Sequence, residues 1–217
     1  MPRALPQAEG AGSAKLTRPE AWIVTSVAVA AVLLDLVAQH HGAPAWIRTV
    51  MAVAALLGAG SLRSARASLG LVAKPNQPAF KVAALFLVLE LGIVLTRWPR
   101  YELGIEPNLR LLQGAAPSVL FVPMATEAVY RSLLCGVLLR RLPRVARMFA
   151  AALLFVGAHA AVGFVTPEEV VGAFAFAWLF VATRTLWIPL LVHIAASAFP
   201  WILHALVWLM CGGILCR

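Results

Sequence analysis

A glutamate and an arginine four positions apart, Glu127 and Arg131, lie in the run Val122-Pro123-Met124-Ala125-Thr126-Glu127-Ala128-Val129-Tyr130-Arg131, inside a long apolar segment. An ionisable pair at bilayer depth is expensive to keep, so by default it marks a functional site whose partners lie elsewhere in the chain. His159 and His193 are the obvious partners, with Phe155 four residues before the first and Ser197 four after the second. Residues four apart share a helix face, and Glu before Arg at that spacing is the favourable order for an ion pair. A carboxylate beside an imidazole in a water-poor cavity is able to hold and deprotonate a water molecule. A second imidazole and a hydroxyl then hydrogen-bond the oxyanion formed when that water attacks an amide carbonyl, each such donor being worth about 3 to 4 kcal/mol in known hydrolases. The chemistry these side chains support is hydrolysis of a peptide bond away from bulk water.

The elements that must position them are membrane helices. The chain has 217 residues, of which 62% are hydrophobic and 12% charged, with a mean hydropathy of +0.87. That leaves too little polar surface to cover a soluble globule, and it implies an all-α polytopic membrane protein with about eight transmembrane helices and a polar site inside the bundle. The net charge is +9, yet the basic residues cluster between apolar runs rather than on one face. This is a topology signal and argues against nucleic acid as a partner. Cys135, Cys211 and Cys216 lack metal-site spacing and read as inert thiols in or beside helices.

Residues 1–19 read as a disordered cytoplasmic tail, and 20–217 as a single membrane domain. The first span runs from Ala21 to about Gln39, the second from about Ala45 to Leu62 and the third from about Phe80 to Leu95. The fourth, about Ala115 to Leu139, carries the acidic motif, and Pro123 within it predicts a kink or break just before Glu127. A fifth runs over about Met148 to Phe164. Thr166-Pro167-Glu168-Glu169 has the form of a capping box opening the sixth, so the Glu doublet is a helix cap rather than a catalytic pair. Pro200 divides a seventh span, Leu186 to Phe199, from an eighth, Trp201 to Leu215. With the tail inside, the basic loops at 63–74 and 140–147, Arg184 and Arg217 all fall on the cytoplasmic side. Asp35 and Glu90, acids within spans, are structural or water-facing and need interior partners, whereas His40, His41 and His204 sit at interfaces. No internal repeat of the kind inverted-repeat transporters show is visible.

The succession Glu-x-x-x-Arg at 127–131, Phe-x-x-x-His at 155–159 and His-x-x-x-Ser at 193–197 resembles the CPBP family of intramembrane glutamic proteases. That family includes the type II CAAX prenyl endopeptidases and many bacterial relatives. The resemblance covers residues 114–200; Val122-Pro123 is similar to the Ala-Pro before the family's acidic motif, and Leu186-Trp187-Ile188-Pro189 to the run before its last histidine. It implies an eight-helix fold, water activation by glutamate and histidine without metal or cofactor, and an oxyanion held by His193 and Ser197. Glu127, His159, His193 and Ser197 are then the catalytic set, with Arg131, Thr126 and Phe155 in support. A zinc site of Glu127, His159 and His193 would leave a fourth position open for water, but the chain contains no HExxH and the resemblance implies a metal-free centre.

Two positions depart from the family pattern. The first motif usually carries two glutamates, the first acting as base, and Thr126 stands at that place; the third usually ends in Asn or Asp, where Ser197 stands. Thr126 cannot serve as a general base at neutral pH. Either Glu127 has taken over the chemistry from one position along, or peptidase activity is lost and the protein is a membrane scaffold or immunity factor. The resemblance points to an integral protein of a bacterial inner membrane. Its partners would be the lipid bilayer and the tail of a membrane-associated or exported protein, cut near its C-terminus.

Overall fold

The computed structural model describes residues 16–72, 77–97, 115–163 and 165–210. Among them are seven helices: α1 (Arg18–His40), α2 (Ala45–Ser61), α3 (Gln77–Arg97), α4 (Pro117–Leu138), α5 (Arg144–Val162), α6 (Pro167–Thr183) and α7 (Trp187–Met210). The expected count of eight is not confirmed: among the described residues the two C-terminal spans are one helix that continues through Pro200. A proline removes one backbone hydrogen bond, and helices of membrane proteins absorb that loss more readily than soluble ones. The polar connection at 99–113 and the chain beyond residue 210 lie outside the described residues, and with them Cys211, Cys216 and Arg217.

Local chemistry explains the helix starts. At α6 the Glu169 N–H donates to Thr166 Oγ1 at 3.3 Å and the Thr166 N–H to Glu169 Oε2 at 2.7 Å, closing the expected capping box. The same spacing, overlooked at the first span, recurs at Thr17 and Glu20, where both the Thr17 N–H and its hydroxyl donate to Glu20 Oε2. Helix α1 therefore begins inside the stretch expected to be tail.

Helices α1, α4 and α5 are long and apolar enough to cross a membrane, and Ala45–Ser61, Phe80–Leu89 and Trp187–Leu203 are shorter apolar stretches. In α4, 72% of the membrane-length window is buried, against 22% in α1 and 17% in α5, which puts α4 at the centre and the other two on the rim. It packs against α1, α2, α5, α6 and α7, while α3 lies against α6 and α7. Outward faces are apolar: Trp22, Ile23, Leu33 and Leu34 of α1, Leu57 of α2, Val88 of α3 and Leu153 of α5 are all exposed. Apolar side chains outside and charges inside is the arrangement that lipid requires.

Helix α4 runs unbroken through Pro123. The irregularity that the proline foretold takes another form, a wide i→i+5 register over Pro117–Phe121 and again over Glu127–Leu138, with an ordinary turn at Val122–Thr126 between them. The Leu139 N–H continues it, donating to Leu134 O at 3.0 Å. Such widenings are uncommon and concentrate at functional sites. Here the second one opens at Glu127.

Between α2 and α3 the expected basic loop at 63–74 is packed into the bundle over its first part, where Ala65 and Leu69 are completely buried. Ser132 Oγ donates to Leu69 O at 2.7 Å, and the Leu186 N–H donates to Gly70 O at 3.0 Å. Gly70 has φ +72° with Phe180 and Leu186 packed against it, and Gly136 of α4 lets the Ser68 carbonyl approach where a Cβ would collide. Irregular backbone is tolerable inside such a bundle only when protein groups satisfy it, and these contacts do so.

Candidate functional site

Glu127 opens the wide turn of α4 and has no exposed surface. Its Oε1 lies 2.9 Å from His193 Nδ1 on α7, a contact between residues 66 positions apart. Its Oε2 lies 3.4 Å from Arg131 Nε, one turn along the same helix. In an i→i+5 register each residue turns the helix by less than the 100° of an α-helix. The expected break at Pro123 is absent, and the change of register falls at Glu127 itself.

The Arg131 guanidinium is fully buried, and none of its three nitrogens has a hydrogen-bond partner among the described residues; Glu127 Oε2 has none either. Aromatic faces hold the cation instead, with the Phe155 ring centroid 5.1 Å and that of Phe176 6.0 Å from Cζ. Desolvated cation–π contacts of this kind are worth about 2 kcal/mol. Phe176 also stacks on the His193 imidazole, with centroids 4.7 Å apart and planes 14° from parallel. One phenyl ring of α6 therefore fixes both the arginine and the histidine.

The structure brings together Glu127, Arg131, His193 and Phe155 from the expected set. His159 sits beside them at one remove: its Nδ1 is 3.0 Å from its own helix's Phe155 O, and its ring packs 4.0 Å from Phe155 and 6.0 Å from Tyr130. An imidazole bonded in this way donates Nδ1–H to the carbonyl and leaves Nε2 as an acceptor. Thr126 is buried directly before Glu127, and Ser197 is half-buried one turn beyond His193. Among the described residues no three His, Cys, Asp or Glu side chains gather to hold a metal ion.

Sequence reasoning missed Phe176, for which an aromatic residue in an apolar span offered no signal. It also missed Arg48 and Gln39. Asp35, expected to need an interior partner, takes Arg48 Nε at 2.8 Å and Arg48 Nη2 at 3.2 Å, while Gln39 Nε2 donates to it at 2.6 Å. Gln39 lies 3.2 Å from the Tyr130 hydroxyl as well, tying this cluster to α4. An arginine inside the second apolar run was the available clue. The Glu90 and His204 side chains lie outside those described, and His40 and His41 are exposed as expected.

A bundle of apolar helices closed around a buried glutamate, arginine and histidine defines an integral membrane protein with a polar centre. Residues 108–199 match the family model for type II CAAX prenyl endopeptidase Rce1-like proteins, and the likeness read from the three spaced motifs is borne out over that segment. That family suggests protease activity of the CAAX type. No curated protein and no solved structure was found to match the chain.

Proposed function

We propose that this protein is an intramembrane endopeptidase that hydrolyses a peptide bond near the C-terminus of a membrane-associated or exported protein. Glu127, His159, His193 and Ser197 form its catalytic set, supported by Arg131, Thr126 and Phe155, and it acts without metal or cofactor. The observation that carries the reading is the 2.9 Å contact of Glu127 with His193, because it joins the first and last motifs of a matched protease family into an acid–imidazole pair. Such a pair activates water. The Ser197 hydroxyl is a donor for the oxyanion, and His159 Nε2, an acceptor, is left to take a hydrogen bond from the water. The bilayer supplies substrate laterally, and a bacterial inner membrane with the N-terminus cytoplasmic agrees with the basic loops.

Thr126, in the place of the family's usual first glutamate, speaks for the opposite reading, a scaffold without turnover. The test is cleavage of a farnesylated tail peptide by the purified chain in lipid nanodiscs. Turnover that is lost in His193→Ala and in His159→Ala, with folding intact, supports the peptidase; a wild-type protein that leaves the peptide whole supports the scaffold.

A further inference from the structure

We infer that the proton of the attacking water goes to His193 Nε2, with Glu127 as the positioning residue that holds this imidazole, so that the role of base passes from the acid, where the family pattern puts it, to the imidazole. The inference rests on the peptidase reading and deepens it. Glu127 is sealed: its side chain has no exposed surface, Oε1 is taken by His193 and Oε2 faces the Arg131 guanidinium. The His193 side chain keeps 19% of its surface exposed. Of the pair, only the imidazole reaches beyond the packed core.

Hydrogen-bond chemistry then sets the tautomer. A carboxylate only accepts, so Nδ1 carries the hydrogen in the 2.9 Å contact, and Nε2 keeps its lone pair. Phe176 stacked on the ring opposes the flip that would put Cδ2 in the place of Nδ1. A base oriented by a buried acid through its other ring nitrogen is the arrangement of base and orienter in catalytic triads. Thr126 agrees with this division, since the chain has no carboxylate at the position from which the family's base acts.

The step balances as follows. The water oxygen bonds to the carbonyl carbon as one water proton moves to Nε2, and the carbonyl π pair goes to oxygen, giving a tetrahedral oxyanion and an imidazolium whose charge Glu127 offsets. The oxyanion re-forms the carbonyl, the C–N bond breaks, and Nε2–H passes its proton to the leaving nitrogen. One water is consumed, and an amine and a carboxylic acid leave.

The test uses the full chain in nanodiscs with nitrogen-15-labelled histidine and the farnesylated tail peptide. The nitrogen-15 spectrum is expected to show His193 with Nδ1 protonated and Nε2 bare, in the wild type and in Glu127→Gln, whose amide oxygen still accepts. His193→Gln is expected to lose turnover by about 10²- to 10⁴-fold. Glu127→Gln is expected to retain more turnover than Glu127→Ala while falling by up to about 10⁴-fold below wild type in kcat with KM unchanged, the scale seen when the orienting acid of a catalytic triad becomes an amide. The transfer of the base role is overturned by an Nε2-protonated His193, by a Glu127→Gln protein no more active than Glu127→Ala, or by turnover that survives His193→Gln. A wild-type chain that cleaves nothing overturns the peptidase reading itself, a different result from any of these.

Discussion

Two buried ion pairs lie in one bundle and use their charges in opposite ways. Asp35 and Arg48 join α1 to α2 by two guanidinium bonds, and Gln39 Nε2 donates a third bond to the carboxylate before reaching on to Tyr130. Glu127 and Arg131 lie on one helix at 3.4 Å, and the guanidinium nitrogens have aromatic faces rather than acceptors around them. A buried pair breaks even only when hydrogen bonds use up its remaining donors and lone pairs. The first cluster meets that condition and acts as a clamp. The second makes no such bonds among the described residues, and its acid contacts the His193 imidazole instead.

Substitutions break this contrast in graded order. His193→Ala is expected to lower the turnover of the farnesylated peptide per folded molecule by about 10²- to 10⁴-fold, beyond any stability lost when Glu127 Oε1 loses its partner; unaltered turnover would place the chemistry elsewhere. Asp35→Ala does the converse, leaving Arg48 without its carboxylate at a cost of about 3 to 5 kcal/mol in stability, with kcat per folded molecule preserved. Equilibrium unfolding and active-site-normalised rates separate the two effects. Were Asp35→Ala to abolish turnover in molecules that remain folded, the clamp would belong to the active centre.

Smaller changes sharpen the comparison. Gly136→Ala drives a methyl into the Ser68 carbonyl and is expected to cost about 1 to 3 kcal/mol as overpacking, read as a lowered unfolding midpoint. Tyr130→Phe removes the hydroxyl that meets Gln39, for a loss of about 1 kcal/mol and no change in kcat. A drop in kcat without loss of stability would show that the clamp sets the geometry of the His159 ring packed against Tyr130.

The helices were legible wherever an apolar run ended in polar or capping residues, as at Thr166-Pro167-Glu168-Glu169, because those signals act within a turn or two. Pro200 misled: it costs one hydrogen bond, and neighbouring packing decides whether the helix bends, stops or continues. The stretch at 63–74 looked like an ordinary basic loop because Ser132, Gly136 and Leu186, which anchor its first part, come more than sixty positions later. His159 was paired with Glu127 by its type, but the Phe155 carbonyl four residues back holds its Nδ1.

The sequence by itself determined that the chain is a helical membrane protein and singled out Glu127, Arg131 and His193, which meet in its interior, because hydropathy and i, i+4 spacing are local properties that need no partner. Tertiary structure alone decided that Glu127 is sealed, that His193 rather than His159 takes its oxygen, and that Arg131 rests on Phe155 and Phe176. Those outcomes depend on how α4, α6 and α7 approach one another, and the distance between side chains on separate helices is set by packing that no single segment encodes.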